Sequence, residues 1–79
     1  MPSKLRRLPD QGDRLLHVES GIWFVVVKRI SENRLIARRE DGLEVTNGTS
    51  PYGYPPDHML MNEAIWLLRH NIFVLEVKP

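Results

Sequence analysis

Residues 57–71, DHMLMNEAIWLLRHN, decide how the rest of the chain has to be read. On a helical wheel Leu60, Met61, Ala64, Ile65, Leu67 and Leu68 fall within one arc, wide enough to lie on a sheet. Asp57 offers the side-chain oxygen of an N-cap, and Asn71 tolerates the left-handed backbone found at helix ends. The spacing therefore predicts a helix over residues 57–71. Met59, Glu63, Trp66 and His70, spaced four, three and four apart, form a second stripe pointing away from the first. The first stripe is a core face. The second sets a large aromatic beside ionisable groups, and a small domain has little left to bury it against.

Upstream of this segment the pattern changes to extended chain. Residues 14–18, 22–30, 34–39 and 43–46 are mostly rich in β-branched or bulky apolar side chains. Glu19-Ser20-Gly21, Ser31-Glu32-Asn33 and Asp41-Gly42 separate them, short connections with turn chemistry, and Asp-Gly signals a two-residue hairpin. Residues 22–27, IWFVVV, are apolar on both alternating sides, which predicts a central strand covered on both faces. Downstream of the helix, residues 72–77 alternate and read as a fifth strand.

The order is four meandering strands, a helix and a closing strand. It predicts a small α+β fold in which an open antiparallel sheet carries the helix across one face. The alternative is a five-stranded barrel whose element order resembles the SH3-like kind, with an enlarged helix before the last strand. Residues 1–13 read as a basic arm, and residues 14–79 as a single α+β domain.

Composition bounds the function. Seventy-nine residues, 42% hydrophobic and 27% charged, make one globular domain. Ordering such a chain costs roughly 1.5 kcal/mol per residue, which one modest core offsets only narrowly, so oligomerisation would add stability. The absence of cysteine excludes disulfide scaffolds and thiolate metal sites. The first residues carry charges and prolines where a secretory signal needs an apolar run, and no stretch has the length of a membrane span. The expectation is a cytoplasmic protein with no membrane partner.

Catalysis is not expected. The glycines sit in turns, and no phosphate loop or nucleotide fingerprint is present. His17, His58 and His70 lie in no metal-ligand spacing and beside no candidate nucleophile, and nothing selects a catalytic pair among the carboxylates. Neither cofactor nor metal is predicted.

Two binding surfaces follow. The first is protein-binding: Met59, Glu63, Trp66 and His70 on the helix, with Tyr52 and Tyr54 held rigid between prolines in the loop SPYGYPPD. This predicts a non-catalytic protein-binding module, a small regulator, inhibitor or adaptor, whose partner is another protein or a second copy of itself. The second surface uses charge. Residues 1–39 hold nine Lys or Arg against four acids, whereas residues 40–79 hold two against six. Eight of the eleven cations are arginine, suited to bidentate contact with phosphate. Lys4, Arg6, Arg7, Lys28, Arg34 and Arg38 form the candidate basic face of the alternative, a nucleic-acid-binding protein.

Overall fold

The longest extended run, IWFVVVKRIS, organises the sheet, because β-branched and aromatic side chains suit a pleated, flanked strand. In the computed structural model, which describes residues 8–45 and 50–77, this run is β2 (Ile22–Ser31), between β1 (Arg14–His17) and β3 (Arg34–Arg39). Gly21, at φ 76, allows the tight β1–β2 turn in which its N–H donates to the His17 carbonyl at 2.8 Å. Next come β4 (His58–Asn62), α1 (Ala64–Arg69) and β5 (Phe73–Leu75). The five strands lie in the order β4-β3-β2-β1-β5, each neighbouring pair antiparallel. β4 and β5 are edges. The sheet is open, as expected, and the barrel alternative is not the fold.

The helix expected over residues 57–71 is strand in its first half. Three apolar residues in a row, Met59, Leu60 and Met61, satisfy a period of 3.6 and a period of 2 equally well. The free edge of β3 decides between them: Arg34 to Arg38 pair residue for residue with Asn62 to His58. Met61 is thereby buried and Met59 packs against the core. The helix is also capped differently. Asp57 hydrogen-bonds His58, at 2.7 Å to Nδ1, and is not the cap. Glu63, left-handed at φ 54, precedes the helix without a side-chain cap of its own. Asn33, from the β2–β3 turn, instead accepts the Ala64 N–H on its carbonyl (3.0 Å) and the Ile65 N–H on Oδ1 (2.8 Å). At the other end Asn71 is left-handed (φ 58), as its identity indicated, and the Ile72 N–H reaches the Leu67 carbonyl.

The strand expected over residues 43–46 does not form among its described residues, 43–45; Thr46 lies outside them. Asp41-Gly42 makes a turn without a hairpin. The Asp41 carboxylate accepts Arg39 Nη2 at 2.7 Å and the Leu43 N–H at 2.9 Å, while Arg39 Nη1 donates to the Glu44 carbonyl at 3.1 Å. These bonds hold the chain back against the end of β3, whose edge β4 already fills.

One face of the sheet carries the core. Leu15, Phe24, Val26, Leu35, Ala37, Met61 and Phe73 lie under α1, where Ala64, fully buried, lets the helix approach closely. Leu8 joins this cluster, and main-chain hydrogen bonds of Gly12 and Asp13 to Val26 continue the β1 pairing backwards. Residues 1–7, with Lys4, Arg6 and Arg7, lie outside the described residues. No helix among those described is long and apolar enough to cross a membrane.

Candidate functional site: the open face of the sheet

Residues paired across a sheet share a face, so the register assigns the side opposite α1 directly. Leu16 pairs with Trp23 and Val74, Arg14 with Val25, Arg38 with Val25 and His58, and Ile36 with Lys28 and Leu60. A bulge in β2 inserts Val27 between the pairs Val26–Ala37 and Lys28–Ile36. The result is an aliphatic floor of Leu16, Val25, Val27, Ile36 and Leu60 with Trp23 among them. Only Ile36 is buried, and no secondary-structure element among the described residues covers the rest. At one corner the floor runs into Val74, 40% exposed, beside Val18 and Ile72, which are hydrogen-bonded to each other through the main chain. The expectation that IWFVVV is a central strand holds, but among the described residues it is packed on one side only: Phe24 and Val26 are buried, while Trp23, Val25 and Val27 are partly exposed. The described residues hold one helix, and one helix covers one face.

Charge on this face is arranged in two groups. Arg14 lies over the Trp23 ring, 4.2 Å from its centroid, and donates from Nε and Nη2 to the two oxygens of Glu40 (2.6 and 2.9 Å) and from Nη1 to Glu76 (2.6 Å). The hydrogen bond from Arg14 holds the Glu40 carboxyl below its ordinary pKa, and the same bond raises that of Arg14. Towards the β2–β3 turn stand Lys28, Arg34 and Arg38. Lys28 and Arg34 make no hydrogen bond or ion pair among the described residues, and Arg38 donates once, to the Arg39 carbonyl. The sheet thus brings together three of the six basic residues singled out from the sequence.

The helix stripe is not assembled as expected. Met59 sits on β4 and faces the core, and Glu63 is the exposed residue before α1. Trp66 and His70 do meet, their ring centroids 4.2 Å apart, with Trp66 half exposed. In the loop, Tyr54 packs on His58 at 5.4 Å, the Ser50 hydroxyl donates to the Pro55 carbonyl at 2.7 Å, and Tyr52 is fully exposed.

A cavity of about 240 Å³ opens on the covered face, floored by Ile22, Phe24, Val45, Met59 and Phe73, with His17 and Arg39 at its polar side. His17 packs against Phe73 at 5.0 Å with Nδ1 2.7 Å from the Ser20 hydroxyl. Arg39 is engaged by Asp41, whose hydrogen bond raises the Arg39 pKa, and the Asp41 carboxyl is held low in return. Among the described residues no three metal-ligating side chains cluster.

Leu16, Trp23, Val25, Val27 and Leu60 were missing from the sequence-derived candidates. The signal that could have found them was arithmetic: five strands make two faces, and only one helix was available. Comparison of the chain with protein-family models, with curated proteins and with solved structures finds no match.

Proposed function

We propose that this chain is a non-catalytic protein-binding module that docks through the open face of its sheet. The observation that carries this reading is the aliphatic floor around Val25, Val27, Ile36 and Leu60, over which no helix or strand among the described residues packs while the opposite face of the same sheet is packed. Contiguous apolar surface rimmed by charge is what protein interfaces need. The floor is aliphatic, and its single aromatic, Trp23, already lies beneath Arg14, which suits side chains better than stacked bases. The Trp66–His70 pair belongs to α1, on the opposite side of the sheet.

The test is affinity capture of cellular proteins on the immobilised chain, comparing the parent with Val27→Glu and Trp66→Ala, each checked by circular dichroism. Loss of the captured protein with Val27→Glu and its retention with Trp66→Ala supports docking through the sheet; the reverse pattern assigns it to the helix. A second reading has its own support, since Lys28, Arg34 and Arg38 share the open face. It predicts saturable oligonucleotide binding that weakens steeply with salt and loses slope when Arg34 and Arg38 are changed to Gln.

A further inference from the structure

We infer that the partner of the open face is an amphipathic helix with acidic flanks, its apolar stripe on the aliphatic floor and its carboxylates against Lys28, Arg34 and Arg38. The inference rests on the docking reading above and names the partner's chemistry. It is carried by the balance of charge across the face. At the Trp23 end Arg14 is taken up by Glu40 and Glu76, so that corner has no cation to offer. At the other end Lys28 and Arg34 are exposed and make no hydrogen bond or ion pair among the described residues, while Arg38 donates only to the Arg39 carbonyl. Glu32 in the β2–β3 turn and Glu63 before α1 are exposed, and neither pairs with these cations among the described residues. Docking a partner over the floor strips water from cations set among its apolar side chains, which is costly without a counter-charge. The partner has to bring the carboxylates.

Shape points to a helix. A helix about 10 Å across covers two strands spaced about 4.8 Å, and β2 and β3, the two longest strands, carry Val25, Val27 and Ile36. Arg34 and Arg38 stand on either side of Ile36 along β3, and Lys28 is paired with Ile36 from β2. Four residues of strand span about 13 Å, the rise of about nine helical residues. Acids two to three turns apart, with apolar residues between them at helical spacing, therefore meet both arginines while the stripe lies on the floor. The opposite face shows the same sheet receiving α1 through its own apolar residues. A nucleic-acid strand offers phosphates to the cations and nothing to the aliphatic floor.

Selection of a displayed library of random peptides, about 16 residues or roughly 24 Å of helix, on the immobilised full chain tests this. The affinity of each enriched peptide is then measured by fluorescence anisotropy. The expected result is peptides with apolar residues at helical spacing flanked by Asp or Glu. Their affinity falls at least about tenfold with Val27→Glu and with Lys28→Glu and Arg34→Glu combined, since close interfacial charge pairs couple strongly. Exchanging the peptide's acids for lysine abolishes binding to the parent and restores it to the Lys28→Glu, Arg34→Glu chain. Lys28 and Arg34 are exposed and partnerless among the described residues, so this double variant keeps its fold and serves even if Val27→Glu perturbs β2. Enriched peptides that need Val27 but carry no excess of acid overturn the inference and leave the docking reading standing. Peptides indifferent to both changes overturn the two together. A library with no enriched peptide overturns the inference, and the capture experiment above then decides the docking reading alone. An oligonucleotide bound more tightly than any peptide, and lost with the two charge reversals, assigns the cations to phosphate and overturns the inference as well.

Discussion

Phe24 and Val25 are neighbours in β2, yet Phe24 is 5% exposed under α1 and edge-on to Phe73, 5.6 Å between ring centroids, while Val25 looks out from the open face. The same strand supplies apolar residues to both sides, so local preference cannot explain the difference. It arises from supply. The covered face receives α1, Leu8 and Val45, and no helix or strand among the described residues packs on the other face. Position in the chain therefore determines which face becomes core, and the apolar character of the second face is what the proposed docking would use.

That contrast can be broken by substitution. Phe24→Ala should cost about 3–5 kcal/mol, enough to unfold much of the population at 25 °C, whereas Val27→Ala on the other face should cost under about 1 kcal/mol. Urea melts of the two variants check this, and comparable losses would mean that the open face is packed in solution. Next in size is Asn33→Ala. It strips the acceptor from the Ile65 N–H and should lower stability by about 1 kcal/mol, read from the same melts, with Asn33→Asp retaining most of it.

The smallest effect is electrostatic and belongs to the open face. Because the Glu40 carboxyl titrates lower in the folded chain than its ordinary value of 4.5, its contribution is fully present above that value and is lost as pH falls through the folded one. Glu40→Gln should therefore lower the melting temperature slightly at neutrality and flatten its further loss on acidification below about pH 4.5, the two chains converging at low pH. An unchanged acid limb would mean that the Arg14 bridge is not populated in solution.

Much of the sheet was legible in the sequence. β1, β2 and β3 announce themselves by β-branched runs separated by turn residues, and Asn71 marks the helix end by its tolerance of positive φ. What was hidden is non-local. Nothing in His58 to Asn62 records that the edge of β3 is vacant, and a short apolar run fits strand and helix alike. Arg39 is equally silent: that its guanidinium would take Asp41 and the Glu44 carbonyl, diverting the chain from a hairpin, depends on where the end of β3 lies. The proposed binding surface suffered from the same blindness. Trp66 stood out because helical spacing isolates it, while Trp23 was hidden among apolar neighbours whose shared face only the assembled sheet reveals.

The cap on α1 bears on the order of events during folding. Six residues are too few to hold a helix in water, and the acceptor for the Ile65 N–H is contributed by a residue 32 positions earlier. The helix therefore has no independent existence to offer an early nucleus. It is assembled onto a β2–β3 hairpin that must already be closed, after β4 has docked along β3, so loop closure over non-local strands controls the rate. Loss of Asn33 should accordingly appear in the unfolding limb of a chevron plot and leave the refolding limb almost unmoved.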